Sequence, residues 1–133
     1  MKKKEFRSLL FICLGLIATI VFTSAVMIAS PPDPPGKPQA IDVQRDRCTI
    51  KYAAPRSDGG SPIVGYVIEQ KYSSSDNWYK VSGKDNHPGL EYTIDDLVEG
   101  SEVQFRVRAV NAEGPSKPSK PSDMITIEDP FVK

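Results

Sequence analysis

Beyond its first 30 residues the chain predicts an all-β fold, two antiparallel sheets packed face to face. Three observations lead there. Short segments alternate apolar and polar residues with a period of two, and 12 prolines and nine glycines punctuate the chain with turns. No segment after Pro31 keeps a helical period for three turns. A single amphipathic sheet would leave its apolar face in water, so a second sheet must cover it. The remaining length suits one domain of about 100 residues with one modest core.

Seven strands are expected. QAIDVQ (39–44) opens the domain with Ile41 and Val43 on one face. CTIKY (48–52) turns Cys48, Ile50 and Tyr52 inward and Thr49 and Lys51 outward. APRSDGGSP, with two prolines and a glycine pair, has the chemistry of an exposed loop. VGYVIEQK (64–71) places Tyr66 and Ile68 on one face and Val67, Glu69 and Lys71 on the other. After the polar turn YSSSDN, WYKVS (78–82) forms a fourth strand that presents Trp78 to the interior or its edge. LEYTIDDL (90–97) carries Tyr92 and Ile94 on one face, with Leu97 as a plug under the next corner.

EVQFRVRAVN contributes Val103, Phe105, Val107 and Ala109 to the core; AEGPSKPSKP is a turn, and DMITIED (123–129) closes the sandwich. The expected structural core comprises Ile50, Tyr52, Tyr66, Ile68, Trp78, Tyr92, Leu97, Val103, Phe105 and Val107.

The N-terminus has a different character. KKKEFR precedes LLFICLGLIATIVFTSAVMIA, residues 9–29, a run of 21 positions without a charge. As a helix rising 1.5 Å per residue it would cross a hydrocarbon core of about 30 Å. The basic flank favours a cytoplasmic N-terminus with the domain carried across. Thr23-Ser24-Ala25 also offers a small-x-small exit for a signal peptide cut before Val26; the length of the run favours a retained anchor. Burial of this run as a helix of the domain is the weakest reading, because SPPDPPGKP breaks the chain straight after it. The expected organisation is therefore residues 1–30 as signal-anchor or signal peptide, 31–37 as a proline-rich spacer, 38–129 as the domain and 130–133 as a tail.

Charge and cysteine content limit the function. From Pro31 onward 16 acidic residues face 13 Lys or Arg, which gives no reason to expect nucleic acid. Cys13 lies in the apolar run, so Cys48 has no partner within the domain and is expected to behave as a small buried hydrophobe. None of Asn77, Asn86 and Asn111 begins a glycosylation sequon.

The segments PGKPQAIDV, DGGSPIVGYVIEQK, Trp78 with Val81, Leu97-x-Glu99-Gly100, FRVRAVNAEGPSKPS and DMITI occur in the order of a fibronectin type III domain. The chain resembles that family over about residues 34–129, and the subgroup of the giant intracellular muscle proteins of the titin and twitchin class in particular. The resemblance implies a seven-stranded immunoglobulin-like sandwich. Two positions depart from the family pattern: Tyr52 stands where a tryptophan is usual, and Val103 where a corner tyrosine is expected. Val103 fills volume but has no hydroxyl to pin the corner, which predicts a foldable domain of reduced stability.

No enzyme chemistry assembles from the inventory. His87 is the only histidine and sits in a loop composition without a nucleophile pattern beside it. Asp95, Asp96 and Glu99 lack calcium-loop spacing and read as solvated strand-end residues. DGGSP is not a phosphate loop, and Ala112 to Lys120 holds no Arg-Gly-Asp tripeptide, so integrin binding does not carry over from the resemblance. Asp58 heads a turn that could serve recognition, and Arg106 and Arg108 form an exposed basic ladder that Glu69 and Lys71 could meet across the sheet. No catalytic residue, cofactor, metal or small-molecule substrate is expected. The expectation is a non-catalytic protein-interaction or spacer module, held on a single-pass anchor through residues 9–29 or secreted. The alternatives are a cytoplasmic sarcomeric scaffold module and a truncated receptor-like ectodomain binding a cell-surface or soluble protein.

Overall fold

The computed structural model describes residues 28–131. The hydrophobic helix expected over the N-terminal run falls outside them, apart from Ile28 and Ala29. Eight strands follow: β1 Gln39–Val43, β2 Cys48–Lys51, β3 Gly65–Tyr72, β4 Tyr79–Lys80, β5 Glu91–Ile94, β6 Glu102–Asn111, β7 Gly114–Pro115 and β8 Ile125–Thr126. One sheet has the order β1-β2-β5; the other runs β4-β3-β6-β7, with β8 also pairing to β6.

β3 and β6 form the spine. Their antiparallel register runs from Gly65 opposite Val110 to Tyr72 opposite Val103. Because side chains alternate across a strand, this register sets Tyr66 and Ile68 beside Val107 and Ala109 on the inner face. β2 faces them from the other sheet with Cys48 and Ile50, and Tyr52 follows just past its end. Phe105, Ile50, Ile68, Val103, Val107 and Ile127 are all sealed from solvent, with Leu97 and Ile94 buried beside them. Truncating Phe105 to alanine would cost about 3–5 kcal/mol on general grounds.

Several expectations are revised. Ile41 and Val43 do not share a face: the register shifts between Ala40 and Asp42, so Ile41 lies at an irregularity and is 51% exposed, while Val43 packs on the core. β4 shrinks to two residues, and Trp78 lies outside the core cluster. Tyr92 packs against the core only partly buried. Gln70 takes an inward position on β3, and its Oε1 is buried without a hydrogen-bond partner among the described residues.

The segment expected as a turn after β6 is a structured edge. β7 pairs Gly114 with Asn111 and Pro115 with Val110. Beyond it Ser116, Ser119 and Ser122, all buried, step along β6 every third residue. Their backbone N–H groups donate to the carbonyls of Ala109, Val107 and Phe105 at 2.7, 2.8 and 2.7 Å. Their hydroxyls accept from the N–H groups of the same three residues at 3.0, 3.0 and 2.9 Å. Each hydroxyl also donates to the next residue's carbonyl. A three-residue period belongs to polyproline II, which has no internal hydrogen bonds. Pro115, Pro118 and Pro121 favour that conformation, and the serines supply the acceptors that a regular strand's carbonyls would have provided. Ser82 does the same at the other edge, where its hydroxyl accepts from Ile68 N–H at 3.1 Å.

The proline-rich segment before β1 shows the same period. It is extended, and it lies along the domain instead of standing off it. Ser30, Asp33 and Gly36 donate backbone N–H groups to the carbonyls of Gly59, Ser57 and Ala53 at 2.9, 3.0 and 3.0 Å. Pro32, Pro35 and Pro38 are buried against it. Gly59 adopts φ 78°, and any side chain there would run into the Ser30 carbonyl.

The two positions that depart from the family pattern find substitutes. Tyr52 donates its hydroxyl to the Gly89 carbonyl at 2.6 Å and packs edge-on against Tyr66 at 5.1 Å. Beside Val103, Tyr72 occupies the facing position on β3, and its hydroxyl accepts a long 3.4 Å bond from Val98 N–H. Ser101 and Gly100 add bonds to Val98 and Ile127, so the corner is held by neighbours.

Candidate interaction face

The outer face of β3 and β6 carries the basic ladder. Alternation turns Glu69 and Lys71 of β3, and Gln104, Arg106 and Arg108 of β6, away from the core. Glu69 sits between Lys80 on β4 and Arg106 on β6 in one cross-strand row. One of its oxygens, Oε1, accepts from both Arg106 Nε at 2.8 Å and Arg108 Nε at 3.1 Å. All three side chains are mostly covered, with 16% of Glu69 and 20% of Arg106 exposed.

Trp78 completes this face. Arg106 Cζ lies 4.4 Å above its ring centroid, and Lys71 Nζ lies 5.9 Å from it. Trp78 lies just before β4 at the sheet edge and outside the core cluster, where this cation–π stacking holds its ring. Arg108 Nη1 also donates to the Ser116 carbonyl at 3.2 Å, and Gln104 Nε2 to the Ser122 carbonyl at 3.0 Å. The serine-bearing edge thus braces the basic face from the side. The sequence expected Arg106 and Arg108 as an exposed ladder that Glu69 and Lys71 could meet; Glu69 does meet both, and what the sequence did not place beside them is Trp78, just before β4.

Asp58 lies elsewhere, at the loop end of the sandwich. Its Oδ1 accepts from Gly60 N–H at 2.8 Å, and its carbonyl accepts from Asn111 Nδ2 at 2.7 Å. Asn111 reaches the Ser30 carbonyl as well, at 2.7 Å. Asp58 therefore belongs to a clasp joining the β2–β3 loop, the exit of β6 and the proline segment, and does not meet the arginines.

Burial holds the titratable core groups in their neutral forms. Burial, with a smaller contribution from Asp42, pushes the Cys48 thiol up to about 11. Burial and then Tyr66 raise the Tyr52 hydroxyl, and burial raises Tyr66. A thiol held neutral by burial is a poor nucleophile at ordinary pH. His87 hydrogen-bonds the Glu91 carbonyl and lies edge-on to Tyr92 at 5.0 Å, a structural placement. Among the described residues no group of three or more His, Cys, Asp or Glu could hold a metal ion.

Fold and surface together define a β-sandwich module whose resources are an ordered sheet face and loop ends. The fibronectin type III domain family matches residues 33–125, and the chain belongs to that family. It is 43% identical over 90 residues to titin of Drosophila melanogaster, covering 68% of this chain and, to the nearest per cent, 0% of that protein. Against slow-type myosin-binding protein C of Homo sapiens it is 39% identical over 97 residues, 73% of this chain and 8% of the relative. Among solved structures, titin module A71 from human cardiac muscle superposes with a TM-score of 0.70 at 39% identity, over 78% of this chain and 100% of that one. The chain thus spans less than a tenth of the curated relatives it matches.

Proposed function

We propose that the chain acts as a non-catalytic spacer and protein-interaction module of the kind strung along titin and the myosin-binding proteins C. The observation that carries this reading is the braced outer face. Glu69, Arg106 and Arg108 are set side by side by the strand register and Trp78 by its stacking with Arg106, and side chains ordered in advance lose little entropy when a partner docks. The docked proline segment supports the spacer role, since it gives the domain a defined direction of entry. Kinship with the muscle proteins favours a cytoplasmic scaffold setting, in which a filament protein is the natural class of partner.

A second setting rests on one observation, the uncharged run of residues 9–29 behind KKKEFR. It would present the same module on a membrane or from a secreted chain. Expression of the full chain with a C-terminal tag separates the settings. A soluble, cytosolic, full-length product supports the scaffold. A carbonate-resistant product with a protease-protected or extracellular tag overturns it in favour of the anchor, and a shortened product in the medium favours secretion.

A further inference from the structure

We propose that the outer face of β3 and β6, centred on Arg106 and Arg108, docks an extended, carboxylate-rich segment of a protein partner. This rests on the interaction-module reading and names the chemistry of the partner.

The argument begins with how the guanidinium groups are used. Glu69 engages both arginines through Nε alone, by a single oxygen. Neither Nη of Arg106 has a hydrogen-bond acceptor among the described residues, and neither is sealed from solvent. Arg106 is thus held from two sides, by Glu69 at its Nε and by the Trp78 ring beneath it, while its outer donors stay open. A planar fork with fixed orientation and open donors matches a carboxylate, and prior fixing removes the ordering cost of two long side chains.

Charge and spacing favour the same occupant. Over the three rows of this face set by Gln104, Arg106 and Arg108, Glu69 is the only carboxylate beside Lys71, Lys80 and the two arginines. The domain as a whole has more acids than bases, so a long polyanion wrapping it would meet repulsion away from this patch. A short acidic segment meets only the patch. Arg106 and Arg108 are two residues apart on one strand, so they repeat at about 7 Å, the spacing of same-side residues in an extended peptide.

The test uses the full chain in neutral detergent micelles and an octapeptide of alternating Glu and Ser, with Gln replacing Glu in the control. Trp78 is the single tryptophan, so its fluorescence reports from the site itself. A saturable change is expected with the acidic peptide and not with the control. Arg106→Lys keeps the charge but loses the fork, and should weaken binding about fivefold or more with an unchanged unfolding midpoint. Arg108→Lys provides the second reading should the first variant unfold, and Lys51→Gln on the opposite sheet should leave binding unaltered. The proposal is overturned by no saturable change, by equal binding of the Arg106→Lys protein, or by anionic vesicles or single-stranded DNA binding this face more tightly than the peptide. A pull-down with crosslinking on the same full chain separates the two readings: a captured protein whose crosslinks map away from Arg106 overturns the assignment of this face and leaves the interaction-module reading standing, and capture of no protein together with no peptide binding removes both.

Discussion

Two proline-rich segments flank this sandwich, and each touches it at every third residue, yet they are built in opposite ways. In the entering segment the prolines, Pro32, Pro35 and Pro38, are buried, and the bonds at every third residue are made by backbone N–H groups. In the leaving segment the serines face inward, and backbone and side chain both bond to β6. The difference follows from what each lies against. The β2–β3 loop meets its own Gly59 and Gly60 N–H groups with Ser57 and Asp58, and offers the entering segment the carbonyls of Gly59, Ser57 and Ala53. β6 is a strand with buried N–H and C=O groups on its open side, and both must be met. A polyproline-like segment cannot repeat the β ladder, so a hydroxyl at every third position takes the place of the missing carbonyl.

The largest effect should come from removing those hydroxyls. Replacing Ser116, Ser119 and Ser122 together by alanine leaves three buried N–H groups without acceptors, at about 1–3 kcal/mol each. Denaturant unfolding should show a combined loss above about 3 kcal/mol; a loss below 1 kcal/mol would mean that water or neighbours can replace the serines.

Next in size is Gly59→Ala. A methyl group at φ 78° meets the Ser30 carbonyl, and the combined strain is about 1–3 kcal/mol. The entering segment should undock while the leaving one holds. Amide exchange would then accelerate at Ser30 and Asp33 and stay slow at Val107; uniform acceleration would show that the two flanks are not independent.

Alkaline pH probes the core between them. The folded Cys48 pKa is raised from 9.0 to about 11, so the unfolded chain releases its proton first. Stability is full below pH 9 and falls, as pH rises toward 11, by at most about 1.4 kcal/mol per unit. Tyr52, raised by burial, adds its own loss at higher pH. Unfolding midpoints of the Cys48→Ala protein should decline less over this range, and a parallel decline would remove Cys48 from the account.

The smallest expected effect is that of Pro118→Ala, about 0.4–1 kcal/mol of destabilisation through greater freedom of the unfolded chain. A loss as large as that of the serine variant would shift the weight of the edge from hydrogen bonding to proline stiffness.

The inward set on β2, β3 and β6 was legible before any coordinates, because a period of two assigns faces without knowledge of the partner strand: Ile50, Ile68 and Phe105 are each sealed from solvent. Trp78 was not legible. The pattern left it facing the interior or its edge and also counted it in the core; it lies outside the core cluster, where Arg106, 28 residues along the chain, packs over its ring. Ile41 was misread for a related reason, since an irregularity in pairing leaves no mark in composition. The serines at 116 and 119 fall in AEGPSKPSKP, which composition alone presents as a turn; their repeat with Ser122 has meaning only once β6 lies alongside.

By itself, then, the amino-acid sequence determined the all-β class and the faces of the long strands. These follow from local alternation and from which chemical groups are present. Tertiary structure alone decided how the edges are closed, how Tyr72 stands in at the corner that Val103 leaves open, and how Glu69 and Trp78 turn two charged residues into a fixed pair. Each of those depends on residues brought together from distant parts of the chain, and pairing register, not local propensity, selects which of them meet.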